Sequence, residues 1–176
     1  MQKSEETDSM KVGQFLMNRG EFLSVAESCT GGLLCDLVVQ TAGSSAWFTG
    51  GWVTYSNKLK QEQLEVSEHL ISEHGAVSWQ VAAAMCAGAM TQSGATISLS
   101  TTGIAGPDGG TTEKPVGTMF IGCHCDGVCS VREFCFEGNR EEIRVNATTT
   151  AMRMLLVQLS GKSEHSMPFQ QGDVHA

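Results

Sequence analysis

The sequence predicts an α/β fold: a three-layer α/β/α sandwich around a mixed sheet, in a single domain. Three observations predict it. Segments of helical period alternate with short apolar runs rich in β-branched residues, the pattern of strands joined by crossover helices. A two-residue Asp126-Gly127 turn stands between two apolar runs, which adds an antiparallel hairpin to the parallel units. At 176 residues, 41% of them hydrophobic, the chain can fill one packed domain and is short for two.

In chain order, Met10, Val12, Phe15, Leu16 and Arg19 recur at helical spacing over residues 8–19, and Gly20 offers a stop. "EFLSVAE" reads as a short strand and "GGLLCDLVVQTAG" as a helix closed by Gly43, so strand, tight turn and helix meet at Glu27 to Gly32. "GGWVTYSN" is a second strand, after which Ser56 or Asn57 caps a helix reaching about Leu64. Two further helices follow, with Ser67 and Ser78 at their starts. The second carries Ala82, Ala83, Ala84, Ala87, Gly88 and Ala89, small enough to lie close against a sheet. "ATISLSTTG" is a strand that runs into a loop over 103–115, where the turn residues oppose any regular element. "VGTMFIGCHC" and "VCSVREFCF" form the hairpin, and an amphipathic helix from Arg140 to about Leu159 closes a domain read as residues 1–160. Residues 161–176 read as a disordered tail, and the chain shows no internal repeat.

Composition narrows the function. Nineteen acidic residues against 11 basic ones leave a formal charge of -8, with no Lys/Arg block to neutralise a phosphate backbone, so nucleic acid is not expected as a partner. A small anionic ligand needs only two or three placed cations and stays open. "MQKSEETDSMKV" has no apolar core segment, so neither a signal peptide nor a membrane partner is expected and the reading is cytoplasmic. Seven cysteines without paired spacing read as reduced thiols. Strand alternation sends Cys123 and Cys125 to the opposite face from His124 and Cys129. No Cys-x-x-Cys knuckle is present, so these are read as small buried hydrophobes and no metal is expected.

The chemistry concentrates in "VAESCTGG". A side chain at a strand-to-helix turn stands exposed at the sheet end, with backbone N–H groups beside it that suit an oxyanion. Ser28, Cys29 and Thr30 are each placed for that, and capping of the helix by Ser28 or Thr30 is the plainer role. "TYSNKLK" supplies a base: Lys60 falls in the first turn of its helix, where dipole and burial both lower its pKa, while Lys58 reads as a solvated charge. Arg140 and Arg144, one helical turn apart, share a face suited to a phosphate or carboxylate, with pairing to Glu141 or Glu142 as the ordinary competitor. No histidine is brought beside Ser28 or Cys29 by the sequence.

Together "AESCTGG", "GSSAWFTGGWVTYSNKLK", "EHGAVS", "TTGIAGPDGGTTEKPVGT" and the "GNR" before the last helix resemble, in order and spacing, the C-terminal domain of CinA and the stand-alone nicotinamide-nucleotide amidases (PncC-like), over roughly residues 12–160. The resemblance implies a cytoplasmic, cofactor-free and metal-independent amidase of pyridine-nucleotide salvage. It would convert nicotinamide mononucleotide and water to nicotinate mononucleotide and ammonia. It implies a Ser-Lys dyad of Ser28 and Lys60, with Tyr55, Thr102 and Arg140 lining the site. Thr30 and Gly103 are read as further substrate contacts, and dimers or larger assemblies are implied. "FEGNR" departs from the Pro-Gly-Asp-Arg that relatives usually carry, placing Glu137 and Asn139 before Arg140. That departure motivates the alternative of a paralogue that binds a nucleotide, or takes another substrate, without deamidating it.

Overall fold

The computed structural model describes residues 6–161 and 173–175. Helix α1 (Asp8–Arg19) is capped by Thr7 and ends at Gly20, whose φ of 65° is the left-handed stop that glycine adopts freely. Strand β1 (Leu23–Glu27) is buried throughout, and α2 (Leu33–Val39) follows. α2 stops short of the expected closure at Gly43. Thr41 has already left it to bond Ser9 of α1 (Oγ1 to Oγ, 2.7 Å), and Gly43 instead leads a short 3-10 turn, Ser44–Ala46. Strand β2 (Phe48–Val53) leads to α3 (Asn57–Leu64), and of the two candidate caps it is Ser56 whose Oγ accepts the Leu59 N–H, at 3.2 Å. Helices α4 (Glu68–His74) and α5 (Trp79–Ser93) are followed by β3 (Ile97–Gly103). No helix or strand interrupts residues 104–117 before β4 (Thr118–Cys125) and β5 (Val128–Cys135). α6 (Arg140–Leu159) matches the expected last helix.

One sheet runs β2-β1-β3-β4-β5-β6, where β6 is Asp173–His175. β1 is parallel to both β2 and β3, and every pairing from β3 outward is antiparallel, so the sheet is mixed. β6 falls within the stretch read from the sequence as a disordered tail. There the backbone adds to the open edge of β5, whose unpaired N–H and C=O groups offer such pairing. The rest of that tail lies outside the described residues.

Alternation along the strands makes the two outer layers. Leu23, Val25, Ile97, Leu99, Met119 and Ile121 face α1, α2 and α6 in the larger core. On the opposite face, against α3, α4 and α5, β1 and β3 present small side chains such as Ala26, Ser98 and Ser100, while Phe120 of β4 and Val131 of β5 fill the space beside α5. Ser98 and Ser100 of β3 donate to the carbonyls of Cys86 (3.0 Å) and Ala82 (2.7 Å) on α5, so the helix sits close and both buried hydroxyls are satisfied. Gly88 allows the same closeness between α5 and α3: a Cβ there would lie 2.1 Å from the Leu64 carbonyl oxygen. At the hairpin, His124 pairs with Cys129 and Cys125 with Val128 across Asp126-Gly127. Cys123 and Cys125 enter the large core, whereas Cys129 packs on the other face with Phe120 and Val131. Among the described residues no His, Cys, Asp or Glu cluster is placed to hold a metal ion. Among them, too, no helix is long and apolar enough to cross a membrane.

Candidate active site

The parallel strands β2, β1 and β3 end side by side, and the chain leaves β1 there into the turn Ser28–Gly32. The turn is anchored on both flanks: Thr54 N–H donates to the Glu27 carbonyl (2.8 Å) and Ser28 N–H to the Thr101 carbonyl (2.9 Å). Gly31 and Gly32, with φ of 60° and 100°, reverse the chain into α2. This is the crevice beyond the carboxyl ends of strands, at which α/β folds commonly place their ligands.

Glu27 organises the turn from below. Fully buried, its carboxylate accepts from the Thr30 hydroxyl (2.7 Å) and from the N–H groups of Gly32 (2.9 Å), Leu34 (3.1 Å) and Cys35 (2.8 Å). A negative charge with four donors at the start of a helix is compensated, which is why it can be buried. These bonds place the side chain of Thr30, read from the sequence as a substrate contact, beneath the turn. Its hydroxyl donates to Glu27 and pairs with Thr101 (2.7 Å), and the residue is wholly buried below the turn.

Lys60 comes in from the first turn of α3. Its Nζ donates to Ser28 Oγ (2.9 Å), to the Thr54 carbonyl (2.7 Å) and more weakly to the Tyr55 carbonyl (3.5 Å). Only 1% of Lys60 is exposed, so the ammonium is desolvated, and burial pulls its pKa from 10.5 down to about 8. Burial acts on Cys29 in the opposite sense, pushing its thiol up to about 12. Cys29 points at the Met119 sulfur (3.2 Å) and stays protonated at neutral pH, which removes it as a nucleophile.

Ser28, Tyr55, Lys60, Thr102, Gly103 and Arg140 all line one cavity of about 310 Å³. Tyr55 stands at its rim, 62% exposed, and the Thr102 hydroxyl donates to the Ala76 carbonyl (2.7 Å) on the far wall. Arg140 reaches across to the Gly106 carbonyl (2.5 Å), tying α6 to the loop after β3. The replaced residues before it keep that aim. Asn139 caps α6 by accepting from Glu141 and Glu142 N–H, and the Glu142 carboxylate returns to Asn139 N–H (2.7 Å). Arg144, in contrast, leaves the cavity and donates to the Thr30 carbonyl (2.6 Å), so the expected arginine pair is split. A wider depression of about 680 Å³ beside Asp8 and Arg153 has no such pairing of hydroxyl and amine; its Ser9 hydroxyl is bonded to Thr41.

The sequence reading left Glu27 and the Thr54 carbonyl without a role. An acidic residue at the end of an apolar strand, just before a Gly-Gly helix start, was the one signal for Glu27. The Thr54 carbonyl has none, because a backbone acceptor carries no residue signature.

The model of the CinA C-terminal domain matches residues 5–159. The chain belongs to the CinA family. A CinA-like protein of Geobacter sp. (strain M21) is 48% identical over 151 residues, which are 86% of this chain and 36% of that protein. One from Desulfotalea psychrophila is 50% identical over 139 residues, 79% of this chain and 34% of that protein. The chain thus spans about a third of the length of these CinA relatives. The crystal structure of a competence-damaged protein (CinA) superfamily protein from Klebsiella pneumoniae superposes with a TM-score of 0.85 at 31% identity, covering 90% of this chain and 99% of that one. The competence/damage inducible protein CihA from Agrobacterium tumefaciens gives 0.79 at 36% identity, over 90% and 99%. The mixed sheet between two helical layers is therefore the CinA fold.

Proposed function

We propose that this CinA-family domain is an amidohydrolase that deamidates nicotinamide mononucleotide through a Ser28-Lys60 dyad, in the cytoplasm. The observation that carries the reading is the contact between Lys60 Nζ and Ser28 Oγ, 2.9 Å, made by a lysine with almost no solvent. A neutral amine has two N–H donors and one lone pair. The carbonyls of Thr54 and Tyr55 accept the two donors, which leaves the lone pair for the Ser28 proton.

In the first step Ser28 Oγ attacks the carboxamide carbon while Lys60 takes its proton. The proton then passes to the departing nitrogen, which leaves as ammonia. Water attacks the resulting ester with Lys60 again as base, releasing nicotinate mononucleotide and restoring Ser28. The developing oxyanion needs backbone donors. In the turn, Gly31 and Leu33 N–H bond turn carbonyls, and those of Gly32, Leu34 and Cys35 bond Glu27; the N–H groups of Cys29 and Thr30, which lie beside the Cys29 sulfur, are the pair we assign to that task. Arg140 is the cation lining the cavity that suits the substrate phosphate, with Thr102 and Tyr55 positioning the ring.

The test is ammonia release from nicotinamide mononucleotide by the purified protein, lost in both Ser28→Ala and Lys60→Ala. No turnover at high enzyme concentration, with thermal stabilisation by the nucleotide retained, would instead establish a binding paralogue. The changed residues that motivated that second reading, Glu137 and Asn139, leave Arg140 on the cavity.

A further inference from the structure

Arg144 is paired with no carboxylate among the described residues, and its Nε is buried without a hydrogen-bond partner. Arg144 as a whole is half-buried, but a buried donor left unpaired costs stability that an apolar side chain at this position of α6 would not. What the residue does have is one short contact, Nη2 to the Thr30 carbonyl, 2.6 Å, across 114 positions of sequence. The turn is shaped to receive it. Gly31 sits at a φ of 60°, and a Cβ there would lie 3.2 Å from Arg144 Nη2, so glycine leaves the approach clear.

The Ser28–Gly32 turn is thus held from two sides. Glu27 takes N–H groups at its end and just beyond it, at Gly32, Leu34 and Cys35, while Arg144 joins Leu33 N–H on the Thr30 carbonyl at its middle. Between these fixed points stand the N–H groups of Cys29 and Thr30. We infer that Arg144 is a positioning residue: by fixing the Thr30 carbonyl from α6 it aims those two N–H groups at the oxyanion formed when Ser28 is acylated. This rests on the Ser28-Lys60 reading given above. It assigns Arg144 to the transition state, whereas the sequence spacing had assigned it with Arg140 to an anionic substrate group.

The experiment compares wild type, Arg144→Met and Arg144→Lys in acylation of Ser28 by 4-nitrophenyl acetate, followed by nitrophenolate release and by the mass of the Ser28 peptide. Arg144→Met is expected to acylate about 10²-fold more slowly, the cost of a misaimed catalytic group. Arg144→Lys, which keeps the charge without the planar fork, is expected at an intermediate rate. The KM for nicotinamide mononucleotide and the pH at which acylation rises should stay where they are, because Lys60 and Arg140 are untouched. In Arg144→Ala, guanidinium chloride far below denaturing concentration should restore part of the rate. A wild-type acylation rate in folded Arg144→Met, or in Arg144→Lys if the first variant does not fold, overturns the proposal. So does a change confined to KM, which would make Arg144 a substrate ligand. Failure of the underlying reading looks different: wild-type protein would not acylate at Ser28, or Lys60→Ala would acylate as fast as wild type. Either result would remove the proposal with it.

Discussion

The lowered pKa of Lys60 makes a quantitative claim about activity against pH. At pH 7 a lysine with a pKa of about 8 is neutral in about one molecule in eleven, and at 10.5 the neutral fraction would be roughly 300-fold smaller. With the neutral amine as the proposed base, kcat/KM should climb about tenfold per pH unit below 8 and flatten above it, with the limb belonging to the free enzyme. The sign on stability follows from the same displacement. Between about 8 and 10.5 the unfolded chain holds a proton on Lys60 that the folded chain has lost, so stability rises with pH across that window. Below it the full desolvation penalty of about 3 kcal/mol is present. Lys60→Met should therefore abolish turnover without lowering the midpoint of thermal unfolding at pH 7, the relief of a buried charge offsetting the lost bonds to Ser28 and Thr54. The assays are steady-state ammonia release from pH 6 to 10 and calorimetry of both proteins, with Cys29→Ala as a control whose limb should not move. A rate that is flat from pH 7 to 9, or that rises only near 10.5, would refute the assignment of Lys60 as the base.

Ser28→Ala should lower kcat by roughly 10⁴-fold or more, since residues acting as a unit lose most of their effect together; single-turnover ammonia release measures it. Arg140→Ala should raise KM for nicotinamide mononucleotide while leaving that for the unphosphorylated riboside nearly unchanged, and a parallel loss on both would remove Arg140 from the phosphate. Gly88→Ala, which drives a methyl toward the Leu64 carbonyl, should destabilise by about 1–3 kcal/mol in urea unfolding, and a neutral result would mean α3 and α5 can part without cost.

The sequence was legible wherever local physics decides. Helix α6 runs over Arg140–Leu159 as its pattern and cap require, and Asp126-Gly127 sets the pairing of His124 with Cys129 because a two-residue turn leaves one register. It failed where a distant partner intervenes. α2 ends at Val39 and the Thr41 hydroxyl beyond it meets Ser9 of α1, and β6 adds to the open edge of β5; neither partner is local to the segment it meets. At the site, the hydroxyls and cations could be named from the sequence and the family resemblance singled out Ser28, but where each of the three adjacent side chains points is not a local property.

By itself the sequence determined the alternation of helices and strands, the turn that carries Ser28, and the residue types a Ser-Lys site needs. Those are properties of neighbouring residues: period, capping and the freedom of glycine. Only the tertiary structure decided which group meets which. It brings Lys60 across 32 positions to Ser28, buries Thr30 against Glu27 and Thr101, and pushes the Cys29 thiol up to about 12. It also sends Arg140 to the cavity and Arg144 to the Thr30 carbonyl. Desolvation and hydrogen-bond geometry depend on every chain segment that packs around a group, and no window of sequence contains them.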